Sequence, residues 1–480
     1  MGLLLRADYL RERVDQAIGD RLDGVLVAHH RRRLRRIGRL DALDVGSSGW
    51  ASGEPRPREG NRIDVLVDGS EALPAIADTI ESASAFVWLA GWHFTPDLGL
   101  GGATLRELLA EKATQVDVKV LVWAGAPLPL FHPSRSEVRE LRERLVRSTR
   151  IACALDDRER PMHCHHEKLV IVDGRIAFVG GIDLTDLGGD RFDSPAHLAR
   201  GRLGWHDATA RVEGPAAADV AAHFALRWNE TTGEKLNCGA APEAGSNAVQ
   251  VVRTVPNGIY RSVPRGDFRI LESYLRALRS AEHMIYLESQ FLWSPELVSV
   301  LAEKLRNPPS DEFRLVVLLP VRPKNGNEDT RGQLGVLAEA DAGAGRFLPC
   351  TLVQEGVRGQ PVYVHAKIGI VDDRWLTIGS ANLNEHSLFN DTEMNVVTHD
   401  AGLARAVRLR LWSEHLDCDA AELEGDPAEI VDERWRPVAE EQLARRDRDE
   451  PATEKLMLLP RVSRRAKGAL GPLNSFLVDG

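Results

Sequence analysis

The chain has little cysteine: Cys153, Cys164, Cys238, Cys350 and Cys418 are odd in number and form no close pairs. That excludes a disulfide framework and predicts a reducing, cytoplasmic setting. Long apolar runs are missing too. The start offers only the short apolar run Gly2–Leu5 before Arg6, too brief for the core of a secretory signal. No run approaches the roughly 18 apolar residues of a membrane span, and the stretch after Lys119 is broken by Pro127 and Pro129. Export and spanning are therefore not expected, and any membrane contact would be peripheral, on the inner face. An excess of positive charge is absent as well: 61 Lys and Arg stand against 71 Asp and Glu, a formal net charge of −10. No overall field would hold a polyphosphate, so an anionic substrate has to be met by local cations, and nucleic acid is not the expected partner.

What is present is a folded composition, 43% hydrophobic and 28% charged, in a chain of 480 residues that exceeds one ordinary core. Leu10, Val14, Ala17, Leu22 and Val25 recur at helical spacing and predict an amphipathic helix. Behind it Arg31, Arg32, Arg33, Arg35, Arg36 and Arg39 crowd together, either a solvated helix face or a contact for anionic headgroups. Gly46–Gly60 reads as a linker. From there the pattern is stated twice. Arg62–Val67 (strand), Glu71–Ala83 (helix), Phe86–Phe94 (strand), Leu105–Ala113 (helix) and Val118–Trp123 (strand) recur as Gln250–Val255, Phe268–Ala281, Met284–Leu292, Leu297–Leu305 and Arg314–Leu319. Alternating strands and helices predict an α/β fold of two related halves, each a mixed, mainly parallel sheet flanked by helices. The expected division is 1–60 (helix, basic cluster, linker), 61–240, 241–420, and a charged tail over 421–480, with Gly233–Asn247 as the joint. In the tail, Leu456–Leu459 beside Arg461, Arg464, Arg465 and Lys467 suggests an interfacial segment or a docked helix.

Each half closes on the same polar pattern. HEKLVIVDGRIAFVGG carries His166, Lys168, Asp173, Gly180 and Gly181; HAKIGIVDDRWLTIGS carries His365, Lys367, Asp372, Gly379 and Ser380. The histidine-to-aspartate interval is the same in both, and the two histidines stand 199 residues apart. On a strand, residues two apart share a face, so each histidine lies beside its lysine, and the apolar run that follows should be core. A neutral imidazole next to an ammonium suits phosphoryl chemistry: one attacks or moves a proton, the other holds phosphate oxygens.

These motifs resemble the signature of the phospholipase D superfamily, over about Ile63 to Leu416. The resemblance implies two halves about a pseudo-twofold axis sharing one cleft. It implies that His166 attacks phosphorus to give a phosphohistidine, and that His365 protonates the leaving alcohol and then activates water or an alcohol. Lys168 and Lys367 would clamp the non-bridging oxygens, and Ser380 and Asn382 of GSANL would add hydrogen bonds. Gly181 and Asp183 of GGIDL occupy the matching places in the first half. Asp173 and Asp372 belong to the signature and mainly support the structure. A carboxylate should hold the second nitrogen of each histidine, with Asp207 placed to serve the first half and Glu393 its counterpart in the second. Trp205–His206–Asp207, Arg227–Trp228–Asn229 and Tyr286–Phe291 resemble the lipid-acting phospholipase D and cardiolipin synthase branch. That implies a phospholipid substrate, a water or alcohol acceptor, and a peripheral, anionic membrane surface. A monomer without cofactor or metal is expected, since His163–Cys164–His165–His166 are too close in sequence to converge unaided on one ion. Trp88, Trp92 and Trp123 read as core, with Trp92 and Gln290 at corresponding points able to line the cleft. A nucleic-acid phosphodiesterase and a silent lipid-binding scaffold are the alternatives.

Overall fold

The computed structural model describes residues 2–47, 49–127, 132–190, 204–322, 327–358, 360–460 and 462. After α1 (Gly2–Ile37), the first half runs β1 (Arg58–Val67), α2 (Asp68–Glu81), β2 (Phe86–Gly91), α3 (Leu105–Lys112), β3 (Asp117–Trp123), α4 (Arg135–Val146), β4 (Ala152–Asp156), β5 (Leu169–Val172), β6 (Ile176–Gly180), β7 (Gly204–His206), β8 (Ala208–Glu213) and α5 (Pro215–Thr232). The second runs β9 (Asn247–Val255), α6 (Arg269–Ser280), β10 (Met284–Glu288), α7 (Pro295–Arg306), β11 (Arg314–Leu318), α8 (Asn327–Asp341), β12 (Phe347–Val353), β13 (Pro361–Val364), β14 (Ile368–Val371), β15 (Trp375–Gly379), β16 (Glu393–Thr398) and α9 (Ala401–Leu416).

The repeat in the sequence is a repeat of sheets. The first is ordered β1-β8-β6-β5-β2-β3-β4 and the second β9-β16-β15-β14-β10-β11-β12. In each, the last three strands are parallel because helices connect them, and the other neighbours are antiparallel, with a direct hairpin joining β5 to β6 and β14 to β15. Antiparallel pairing of β1 with β9 links the sheets. One core spans both halves and takes in α5 and α9, while separate outer cores lie under α2–α4 and under α6–α8. The apolar runs Leu169–Val172 and Ile368–Val371 are buried throughout, as expected.

Three segments differ from the sequence reading. The charged tail from 421 forms α10 (Arg436–Asp447) and β17 (Leu456–Leu458), so that Leu456–Leu458 is a strand where an interfacial segment or a docked helix was expected. β17 pairs with β12, so Leu456–Leu459 is spent covering a sheet edge rather than offered to an interface. Arg461, Arg464, Arg465 and Lys467 lie outside the described residues. The basic cluster is also divided. Arg33 is buried and donates to Asn257 Oδ1, Asn390 Oδ1 and Phe389 O at 2.8–3.0 Å, while Arg31, Arg32, Arg35 and Arg36 are exposed. His30 helps dock α1, bonding Glu296 at 2.7 Å and stacking on Phe389. Of the helix residues expected on an apolar face, Val25 is exposed, and the side chains of Leu10 and Val14 lie outside the described residues.

Candidate active site

His166 and His365 stand just before β5 and β14, and both face one narrow cavity of about 40 Å³, lined also by Trp92, Gly181, Asp183, Asp190, Trp205 and Gln290. The two motifs therefore build a single site, and Trp92 and Gln290 line it. Backbone exchange between the halves brings this about. The amides of His166 and Glu167 both donate to Thr392 O, the residue before Glu393, at 2.9 and 3.1 Å. In the mirror arrangement the amides of His365 and Ala366 donate to His206 O, the residue before Asp207, at 2.7 and 3.2 Å. β7, from the first half, lies parallel to β13 of the second.

The carboxylates consequently serve the opposite halves. Asp207 Oδ2 lies 2.5 Å from His365 Nδ1, and Glu393 Oε1 lies 3.0 Å from His166 Nδ1. This corrects the sequence expectation, which paired Asp207 with the first half; the carbonyl ahead of each carboxylate is anchored across the interface, so its side chain lands there too. Each Nδ1 is occupied by a carboxylate, leaving Nε2 for chemistry. Gly181 is required by the same contact, since a Cβ there would sit 2.1 Å from Asp207 Oδ1.

Ser380 and Asn382, expected to add hydrogen bonds to phosphate, are here engaged with neighbouring side chains. Register beside β16 turns the Ser380 hydroxyl onto Glu393 Oε2, and Ser387 donates to Glu393 Oε1 at 2.6 Å. Asn382 donates to Gln290 Oε1, and Gln290 donates to the Tyr363 hydroxyl. The lysines are placed for anion binding. Lys168 Nζ reaches His166 O at 2.8 Å and Asp183 Oδ2 at 3.0 Å, and Lys367 Nζ donates to His365 O. Asp173 and Asp372 accept the amides of Ser84, Ala85 and Phe86, and of Glu282, His283 and Met284, respectively. They belong to the motif but not to the reacting centre.

Burial sets the electrostatics. It pulls His365 down to about 3, helped by the Lys367 charge, so this ring is neutral at ordinary pH. Burial, with the Lys168 charge adding, lowers Lys367 to about 8. Burial raises Glu393 to about 8 against the pull of Lys168. Asp207 is also pushed up by burial, but the His365 contact and Lys367 outweigh this and hold it below the usual carboxylate range. Two buried ammonium groups thus share a small space, an arrangement that an anion between them would relieve.

A deeper layer lies in segments whose resemblance to the lipid-acting branch gave their residues no individual role. His206, behind Asp207, bonds Glu288 Oε2 at 2.8 Å, and His415 bonds Glu288 Oε1 at 3.1 Å. Trp205 packs 5.0 Å from the His365 ring. Metal-sized sets exist at His163, His386 and Asp391, at His206, Glu288 and His415, and at Asp68, His206 and Glu414. Of the four consecutive residues 163–166, only His163 belongs to one of them.

The family model described as cardiolipin synthase, PLD-like domain, matches residues 274–413. Phospholipase D A of Dictyostelium discoideum is 26% identical over 74% of this chain and 35% of its own length. For phospholipase D2 of Bos taurus the figures are 27%, 72% and 50%, and for phospholipase D alpha 4 of Arabidopsis thaliana 26%, 73% and 64%. The chain thus spans between a third and two thirds of the length of these curated relatives. Among solved structures, phosphatidylserine synthase of Haemophilus influenzae aligns with a TM-score of 0.51 at 12% identity, covering 80% of this chain and 94% of that one, a likeness of fold. A histidine–lysine motif carried twice, on two related sheets that close over one cleft, and these matches together make the chain similar to the phospholipase D superfamily in sequence and in fold.

Proposed function

We propose that the protein is a phospholipid phosphodiesterase that transfers a phosphatidyl group through a histidine to water or an alcohol. The observation that carries this reading is the pair of Nδ1-anchored histidines facing one cavity with both motif lysines beside them. One Nε2 attacks phosphorus while the other ring gives its proton to the departing alcohol; that ring then takes a proton from the incoming hydroxyl as the P–N bond breaks. The lysines hold the non-bridging oxygens throughout. The phospholipid substrate is supported by the named phospholipase D relatives.

By resemblance His166 attacks and His365 moves the proton. The electrostatics favour the reverse order. His365 is neutral against an ionised Asp207, whereas Glu393, raised by burial to about 8, keeps a proton beside His166 below that pH. Trapping decides between them: with an activated phosphodiester, the attacking histidine is the one whose replacement by alanine abolishes the covalent label. Incubation with phosphatidylcholine vesicles and a primary alcohol should yield a phosphatidyl-alcohol beside phosphatidic acid. Metal-independent cleavage of DNA or RNA, with no phosphatidyl-alcohol, overturns the lipid reading.

A further inference from the structure

The two exchanges that close the active site are not held alike. On the His365 side, β7 pairs with β13 through Gly204 and Val362, Trp205 and Tyr363, and His206 and Val364. On the His166 side the described residues show a single bridge, His165 with Thr392. Beside that bridge three ligand-type side chains meet across the interface. His163 comes from the first half. His386 and Asp391 come from the second, at the two ends of a π turn over His386–Asn390 that the Asp391 amide closes by donating to His386 O at 2.8 Å. Turns this wide are rare and concentrate at functional positions.

His386 and Asp391 are fully buried, and His163, 9% exposed, gives the cluster its access to solvent. His163 Nδ1 lies 3.1 Å from His386 Nδ1 and 3.3 Å from Asp391 Oδ1. A ring nitrogen carries either one hydrogen or one lone pair, so a proton on His163 Nδ1 serves one of these neighbours and not both. Asp391 Oδ1 also accepts the Cys164 amide at 2.9 Å, and its buried Oδ2 has no hydrogen-bond partner among the described residues. Burial pushes Asp391 up, but the His163 contact, His386 and the Cys164 amide outweigh this and hold it below the usual carboxylate range. A zinc ion sits about 2.0–2.2 Å from imidazole nitrogen and carboxylate oxygen, which sets the ligand atoms of a tetrahedron about 3.3–3.4 Å apart. The separations in this cluster, 3.1 and 3.3 Å, lie close to that edge.

The other two metal-sized sets are built differently. Glu288 gives one oxygen to His206 and the other to His415, so those rings address the carboxylate and not each other. Asp68 Oδ1 is taken by the Asp207 amide at 3.0 Å. We infer that His163, His386 and Asp391 bind a divalent transition-metal ion of the zinc class, which ties the two halves together beside the His166–Glu393 pair. Two imidazoles with a carboxylate suit zinc better than calcium or magnesium, which favour all-oxygen sites. The ion is a clamp and not a reagent. His163 stands three residues ahead of His166 and Asp391 two ahead of Glu393, so it fixes the backbone that carries that carboxylate to its histidine, on the side where strand pairing is least. His163 finds its partners across the interface, so residues 163–166 need not converge on one ion. Nothing in the clamp depends on the substrate, and its failure would leave the phosphodiesterase reading untouched.

The test uses the full chain, free of any affinity tag and stripped with a chelator, and zinc alone as the probe. Equilibrium dialysis against micromolar zinc should leave about one tightly held ion per chain, and cobalt in its place should give the visible d–d bands of a tetrahedral centre. Saturating zinc should raise the unfolding temperature by roughly 3–5 °C. Asp391→Asn, which keeps an acceptor for the Cys164 amide, and His163→Gln should each weaken zinc binding by about 100-fold or more and remove the shift. His166→Ala should bind zinc as the wild type does. If a ligand variant does not fold, the wild-type stoichiometry and cobalt spectrum decide. No tightly bound zinc in the wild type overturns the site. So does binding that survives undiminished in either ligand variant, or that is lost in His166→Ala, which would put the ion on the catalytic histidines.

Discussion

Asp207 and Glu393 do one task with different reach: the shorter side chain sits 2.5 Å from its histidine and the longer one 3.0 Å, shared with two serine hydroxyls. Replacing Glu393 by glutamine keeps the shape but presents an amide N–H to His166 Nδ1, which fixes the ring as the Nε2–H tautomer. Turnover should fall by about 10⁴-fold, as when a histidine is locked in the wrong tautomer, with the unfolding midpoint nearly unmoved. Lys367 gives a second expectation. Its ammonium is charged below about pH 8 and loses its proton as pH rises through that value, so kcat/KM should drop roughly tenfold per unit above it. In Lys367→Arg the cation persists and this limb should move upward. A limb that stays near pH 8 would belong to Glu393 instead.

At the scale of elements, each motif is a hairpin whose turn is built by its own aspartate. Asp173 and Gly174, like Asp372 and Asp373, have φ between 51° and 65°, consecutive left-handed residues in the three-residue connection between the strands. The Asp173 and Asp372 carboxylates reach back to the amides that open β2 and β10. Asp173→Ala should therefore cost about 2–4 kcal/mol in urea unfolding, from several charge-assisted bonds and a left-handed alanine, while Asp173→Asn should cost less. Gly181→Ala, which pushes on Asp207, should instead cost activity far more than stability. Hydrophobic periodicity made the two halves legible, and the repeated spacing of His166, Lys168, His365 and Lys367 made the shared site legible. Which carboxylate serves which histidine was not, because pairing of Thr392 and His206 with the opposite halves leaves no trace in local pattern. Nor was the true work of Ser380 visible, since a serine serves phosphate or Glu393 equally well in a sequence.

For the whole molecule, a net charge of −10 means that attraction to an anionic membrane has to come from a patch, and the exposed Arg31, Arg32, Arg35 and Arg36 are the candidate. No helix among the described residues is long and apolar enough to cross a membrane. Neutralising Arg32, Arg35 and Arg36 should weaken binding to anionic vesicles by roughly 1 kcal/mol per charge at low salt, with little effect on a short-chain soluble substrate. Arg33→Gln should behave differently, lowering the melting temperature, because that guanidinium ties α1 to Asn257 and Asn390. The crossing of Asp207 and Glu393 between the sheets also governs how the enzyme fails. Neither sheet owns a complete catalytic pair, so a slight parting of the halves disarms both histidines at once while each sheet stays folded. On heating, loss of turnover should run ahead of loss of helical circular dichroism, the interface serving as the fuse of the molecule.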